Sequence, residues 1–400
     1  MVLKTRSARE ERLLRTVSEI LSRCGARLPA SEGEAKCASY MHERFAKANL
    51  EVEIQPVSFA PYQHLPLVLG YALMVLAAIA LAKAPPLAAA LSILGTVVLL
   101  SEANATPTIS RVLPRRSSSN VIARRPSEAA PARRLIITAH LDSAHTSLFS
   151  HPRAALIQRQ AFVFAINAAA AITILSILGS ITTIGTVWWV GLAAGLYLIF
   201  HLTVLVHSSL DMPASPGAND DASGLAVLAE LAEQLPPLRH TEVWLVATCG
   251  HEANLAGMRA FLQAKRPADL PNTLLINLES VGAGSLGLSL VEGYLRASGV
   301  SRQLLQAAAI VARDEKLQVQ GRPYQNENTE AYLALRSGLP AVSMVGFDRR
   351  GAVPNWHWRT DSVENLEPAT MDLATRLTEG IIMRLDTAVA VPAAGQGQQT

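Results

Sequence analysis

Four hundred residues could build two or three soluble domains, yet half of the chain is apolar, only 17% is charged and the mean hydropathy is +0.24. That balance argues against an ordinary soluble globule and places part of the length in lipid. A net charge of +3, without Arg/Lys blocks interleaved with aromatics, gives a nucleic-acid partner no support, and the three scattered cysteines Cys24, Cys37 and Cys249 argue against a disulfide framework or a thiolate zinc site. The N-terminus is a charged amphipathic stretch, Lys4 to Leu21, and does not read as a cleavable signal peptide.

In chain order, Leu13, Leu14, Val17, Ile20 and Leu21 fall at helical spacing within 7–24. Ser31 with Glu34 forms the pattern of a capping box for a second helix through about Lys47. Glu51 to Phe59 alternates as a strand. Leu65 to Ala82 and Leu87 to Leu100, separated by Lys83-Ala-Pro-Pro86, carry no charge and predict a first transmembrane hairpin over 64–102, with a buried core hairpin as the plainer alternative. Asn120–Ala123 predicts a short strand, and Arg134–Ala139 a buried strand ending at His140. Between Gln160 and His207 there is no Asp, Glu, Lys or Arg, which predicts a second hairpin over 159–207, Ala161–Ile181 and Val187–Val206, with Trp188 and Trp189 at an interface. Within it, Asn167 and His201 are expected to bond across helices.

Beyond the hairpin, helices are predicted at 222–235, 257–264, 301–317, 329–337 and 368–385, and strands at 242–248, 273–277, 286–292 and 341–345. The tail 391–400 is expected to be disordered. This alternation predicts an α/β fold with a mixed, largely parallel sheet, helices on both faces and about four transmembrane helices. The pieces 1–63, 103–158 and 208–390 are expected to form one discontinuous domain.

Five short motifs follow strand ends or open helices: His140-Leu-Asp142, Gly217-Ala-Asn-Asp220-Asp-Ala-Ser-Gly224, His251-Glu252, Asn277-Leu-Glu279 and His357-Trp-Arg-Thr-Asp361. Each alone has a plain reading, as a helix cap or a satisfied structural histidine. Together they supply imidazole and carboxylate without thiolate, the ligand types of a catalytic zinc site, and all could meet beyond the C-terminal ends of a parallel sheet.

In that order, and with Gly338-Leu-Pro-Ala341 before the last histidine, the motifs resemble the di-zinc metallopeptidase family of bacterial leucyl aminopeptidases, glutamate carboxypeptidase and glutaminyl cyclases. The resemblance spans about Arg27 to Leu385, with the hairpins as insertions. It implies that Asp220 bridges two Zn²⁺ ions, that His140 and Glu279 complete one ligand set and Glu252 and His357 the other, and that Asp142 orients His140. Asp221 is expected to cap the helix and Asp361 to support the His357 loop. The implied chemistry is removal of N-terminal residues from peptides by zinc-activated water.

The sequence departs from the family where His251 stands in place of the usual Glu general base. A histidine can move a proton near neutrality, so His251 is a candidate base, but it could equally be an extra ligand or a structural group. Two alternatives follow: a glutaminyl-cyclase-like acyl transferase working with one zinc, and a non-catalytic metal-binding pseudopeptidase. Asn328-Thr329-Glu330-Ala331 replaces a frequent Ser-Asp-His and is expected to alter substrate contacts. The expected partners are a peptide substrate and the lipid bilayer. Arginines at the hairpin ends predict an integral protein of a bacterial inner membrane, with its catalytic domain on the cytoplasmic face.

Overall fold

A computed structural model describes residues 6–154, 157–183, 185–266, 269 and 271–389; the expected tail 391–400 lies outside them. Helix α1 (Ala8–Cys24) opens with a reciprocal capping box between Ser7 and Glu10. Helix α2 (Glu32–Lys47) starts at Ser31, whose side chain accepts from the Glu34 backbone. The expected reciprocal half does not form. The Glu34 carboxylate turns inward to accept from Ala30 N at 2.8 Å and Gly250 N at 2.7 Å.

Strand β1 (Glu51–Phe59) leads into α3 (Leu65–Ala80) and α4 (Pro85–Ala103), and β2 (Arg116–Arg125) and β3 (Arg133–His140) precede α5 (Gln158–Ile181) and α6 (Trp188–Leu210). The last part runs α7 (Ser223–Gln234), β4 (Thr241–Thr248), α8 (Ala256–Ala264), β5 (Thr273–Glu279), β6 (Ser285–Ser289), β7 (Val291–Glu292), β8 (Ser298–Gly299), α9 (Arg302–Asp314), β9 (Gln320–Arg322), α10 (Glu330–Arg336), β10 (Ala341–Phe347) and α11 (Pro368–Val389).

Eight strands form one sheet in the order β1-β2-β4-β3-β5-β10-β6-β9. Its centre, β4-β3-β5-β10, is parallel; β1 pairs antiparallel with β2, β2 with β4 and β6 with β10, and β9 is parallel to β6. The mixed sheet thus matches the expectation. Strand β2 is ten residues long, well beyond the expected four, because Ser117–Ser119 extend it along β1 toward the sheet edge. Period-two alternation splits the apolar residues between two layers. Leu135 and Ile137 face a core shared with α1, α2, α7, α9 and α11, whereas Ile136 faces Met258 and Phe261 of α8 and Tyr332 of α10.

Helices α3 to α6 pack together around Tyr71, Met74, Leu99, Ile172 and Leu198. The helix backbones approach closely where Gly95 meets Met74: a Cβ on Gly95 would lie 2.7 Å from its sulfur. Three of the four, α4, α5 and α6, at 19, 24 and 23 residues, are long and apolar enough to cross a membrane. Helix α3 stops at Ala80 after 16 residues, ~24 Å at 1.5 Å per residue, short of a ~30 Å hydrocarbon core. Among the described residues the count by length is therefore three, not four. The expected cross-helix bonds are absent among the described residues: the Asn167 amide donates to Val163 O in its own helix, and His201 packs among Tyr71, Phe149 and Tyr197 with Nε2 unpartnered.

Candidate metal centre

The four central parallel strands end on one side of the sheet, and the candidate ligands gather there. His140 and Glu279 are the last residues of β3 and β5; His251 and Glu252 follow β4, and His357 follows β10. Asp220 comes from the turn before α7. Neither Asp220 (φ −118°) nor Asp221 (φ −132°) has helical backbone, so neither belongs to the helix they precede.

The Asp220 carboxylate divides between two groups. Its Oδ1 lies 3.2 Å from His140 Nε2, which is 3.6 Å from Glu279 Oε1. Its Oδ2 lies 3.1 Å from His357 Nε2, itself 2.9 Å from Glu252 Oε1. Within His140–Asp220–Glu279 and within Asp220–Glu252–His357 the candidate ligand atoms all lie inside 4.8 Å of one another. His251 joins two further such groups, with His140 and Glu252 and with Glu279 and Glu327.

Most of these ligands are held from behind by one atom and present the other. Glu252 Oε2 accepts from Gln63 Nε2 at 2.8 Å and Glu279 Oε2 from Asn277 Nδ2 at 3.0 Å. The opposite oxygens, with Asp220 Oδ2 and His357 Nε2, are buried and have no hydrogen-bond partner among the described residues. Short separations without hydrogen-bond geometry mean that these atoms converge on a shared point and do not satisfy one another. An orphaned buried polar atom costs about 1–3 kcal/mol, more when charged. The buried Arg27 guanidinium offsets little of this, because it donates to the carbonyls of Leu141, Pro216 and Gly217. Oxygen and imidazole donors with orphaned atoms at the centre fit zinc.

The electrostatics carry the same mark. Burial pushes the Glu279 carboxyl up to about 7 although His251 and His140 oppose it. For Asp220 burial also acts upward, but His140 and His357 outweigh it and hold the carboxyl well below its ordinary range.

The supporting residues differ in part from expectation. His140 Nδ1 faces the backbone carbonyl of Asp142 at 3.0 Å, closer than the Asp142 carboxylate at 3.4 Å. That carboxylate instead accepts from His251 N at 3.0 Å and Glu252 N at 2.9 Å, so Asp142 sets the loop after β4 as well as the His140 ring. Gly250 (φ +60°) makes that turn, where a Cβ would strike the Phe59 ring at 2.6 Å. Asp221 accepts from Gly224 N, as a cap does, and also from His140 N and Ser280 N. Asp361 accepts from Asn219 N at 2.5 Å and Asp220 N at 3.1 Å. It therefore supports the Asp220 turn and not chiefly the His357 loop.

Glu330 and Glu327 are the functional candidates that sequence reasoning missed. His251 Nδ1 lies 3.0 Å from both oxygens of the fully buried Glu330, the first residue of α10, and its ring stacks on His140 at 4.1 Å. Burial acts to raise the Glu330 carboxyl, but His251 wins and takes it down to about 2. Glu327 Oε1 accepts from Tyr324 Oη at 2.8 Å and Trp356 Nε1 at 3.0 Å; its Oε2 faces His251 Nε2 at 3.6 Å. The Glu330 shift has a definite sign. With a folded pKa of about 2 against an ordinary 4.5, the stabilisation from ionised Glu330 is complete above about pH 4.5 and is lost as the pH falls through 2. Glu330→Ala is expected to cost about 3–5 kcal/mol at pH 7, by leaving His251 buried without its partner. It should also flatten the acid limb of melting temperature against pH; coincident melts for variant and wild type would remove the pair from the stability account.

Residues 201–381 match the profile of peptidase family M28. This is the family the sequence motifs resemble. Among solved structures, the zinc aminopeptidase BSAP from Bacillus subtilis is 13% identical, with 96% of each chain covered and a TM-score of 0.57. An aminopeptidase from Aneurinibacillus sp. strain AM-1 is 14% identical over 93% of each chain, with a TM-score of 0.56. Bacteroides thetaiotaomicron glutaminyl cyclase is 13% identical, over 94% of this chain and 97% of its own, at 0.53. At such identities these likenesses show the fold, a zinc-exopeptidase-like α/β architecture. Comparison with curated protein sequences finds no match. The M28 match holds Asp220, His251, Glu252, Glu279 and His357, while His140 and Asp142 lie before it.

Proposed function

We propose that this M28-like chain is a membrane-anchored, zinc-dependent aminopeptidase. The observation that carries the reading is the division of Asp220, one oxygen toward His140 and Glu279 and the other toward Glu252 and His357, the arrangement of a carboxylate shared by two ions. Zinc held there would lower the pKa of a water and polarise the scissile carbonyl. The chain's own residues do the rest. Glu330 accepts from His251 Nδ1 and leaves Nε2 toward the cleft. Burial disfavours the protonated ring, but the surrounding carboxylates outweigh it and favour that form. His251 would therefore serve as base once its Nε2 proton is driven off by the charge of zinc at the centre, taking the proton of the attacking water and returning it to the leaving amine. Glu327 Oε2, on the rim of the same centre, is placed to receive the substrate's α-ammonium.

Membrane anchoring is supported by the outer faces of α4, α5 and α6, where Leu94, Val97, Ile174, Ile177, Leu196 and Phe200 are exposed as an apolar surface. Lys83 sits in the α3–α4 turn, whereas Arg111, Arg115, Arg153 and Arg159 lie at the domain ends of the hairpins, which supports a cytoplasmic catalytic side.

The test is zinc content together with hydrolysis of a panel of aminoacyl amides by the full chain in detergent. The expected result is two zinc ions per chain, activity abolished by chelation and restored by zinc, and a lowered melting temperature in the chelated protein, as ligand linkage requires. One tightly bound zinc with cyclisation of N-terminal glutamine would favour the acyl-transferase reading. Zinc without turnover would favour a pseudopeptidase, and the absence of both zinc and turnover would overturn the proposal.

A further inference from the structure

The cleft at the metal centre does not end at the catalytic domain. A cavity of about 230 Å³ reaches Glu252, His251 and His357 at one end and is lined at the other by Leu67 and Tyr71 of α3, Phe162 of α5, and His201 and Leu205 of α6. A route from zinc ligands into an apolar helix bundle is not needed for anchoring. The lining also carries polar groups, among them Glu102 of α4, Ser147 and Gln158. Two of its polar atoms, Tyr71 Oη and His201 Nε2, are buried and without hydrogen-bond partners among the described residues, on residues 1% and 2% exposed whose rings lie 5.7 Å apart. Each such atom is costly unless something in the cavity satisfies it. A pure alkyl chain would leave both orphaned, whereas a peptide brings apolar side chains for Leu67, Phe162 and Leu205 and a backbone carbonyl for the Tyr71 hydroxyl.

Resting on the aminopeptidase reading, we infer that the bundle cavity holds the apolar residues that follow the substrate's N-terminus, so that the substrates are short hydrophobic peptides partitioned into the bilayer. The N-terminal residue lies at the metal centre and the next ones run between α3, α5 and α6. Selection then follows apolar burial. Each leucine-sized side chain taken into the cavity tightens capture about 10- to 100-fold over serine at the same position.

The test is photolabelling of the zinc-loaded full chain in lipid nanodiscs by a leucine tripeptide amide whose second residue carries an alkyl diazirine. Adducts are mapped by mass spectrometry. Labelling is expected on the cavity residues of α3, α5 and α6, with competition by unlabelled trileucine amide and not by triserine amide. Leu205→Trp, which fills the cavity, should cut labelling about tenfold or more. The outward Leu196→Trp, at a residue 61% exposed, serves as the control for tryptophan on the same helix. Tyr71→Phe should weaken capture a few-fold by removing the hydroxyl. Adducts confined to the outer helix faces, or equal competition by triserine amide, overturn the inference; so does a diazirine fatty acid that displaces the peptide completely, which would assign the cavity to a lipid acyl chain. Because labelling needs no turnover, an inactive protein that still labels in the cavity sinks the peptidase reading and leaves the cavity assignment standing.

Discussion

Asp220→Asn is expected to abolish stoichiometric zinc binding and to lower aminoacyl-amide hydrolysis about 10³-fold, the equivalent of ~4 kcal/mol of lost transition-state stabilisation. The substitution is nearly isosteric, but it replaces one carboxylate oxygen by an NH₂ group and removes the shared charge. One of the two ligand groups, that of His140 or that of His357, would then face an amide nitrogen with no lone pair to offer a metal, where the native carboxylate presents one oxygen to each. Asp221→Asn is the matched control. Asp221 holds the backbone N–H groups of His140, Gly224 and Ser280, so its loss is expected to cost about 1–3 kcal/mol of stability with zinc retained. The discriminating measurement is metal content after gel filtration. Two zinc ions in Asp220→Asn, or loss of zinc in Asp221→Asn alone, would reverse the roles given to the two neighbours.

His251→Ala is expected to keep zinc and to lose about 10²- to 10⁴-fold in hydrolysis, the ordinary range for a general acid–base group. The effect should fall on kcat more than on KM, since the ring moves a proton and binds no substrate. His251→Glu, which restores the more usual residue of the family, is not expected to help. A carboxylate there would lie against the buried Glu330 and near Glu327, and three acidic groups in so dry a site suppress one another's ionisation. Its activity should therefore fall below that of the native chain. A rise of several orders of magnitude in His251→Glu would falsify the base assignment and show that the native protein is catalytically silent.

The placement of His140, His251, Glu252 and Glu279 was legible because each sits at or just after a strand end, and strand ends are set by local apolar runs. Leu135–Ala139 before His140, Val243–Ala247 before the His251 loop and Leu274–Leu278 before Glu279 are continuous buried segments, so the residues after them fall together once the strands run parallel. What escaped is what depends on packing between distant segments. Glu330 meets His251 across 79 positions because the start of α10 lies beside the end of β4, where Thr248 Oγ1 also donates to Glu330 at 2.9 Å. Nothing local to Asn328–Ala331 reports this contact, so the segment read only as altered substrate contacts. Glu34 misled in the opposite way: its spacing from Ser31 fits a capping box, but tertiary contact draws the carboxylate 216 positions along the chain to Gly250. Helix α3 fell short of a full span because an uncharged run does not fix where the helix stops, and this one stops at Ala80 before Lys83 and the prolines.

His140 and Asp220 meet at 3.2 Å although the whole α5–α6 hairpin separates them along the chain. The two segments of chain that leave and return to the sheet are tied at the hairpin's base, where His145 bridges Ala214, Thr146 N donates to Pro213 O at 3.0 Å and Ser215 N to Ala144 O at 2.8 Å. This tie works as a gusset. It pairs residues 144–146 with 213–215, so the chain leaves and returns at one point, within a few residues of both His140 and Asp220.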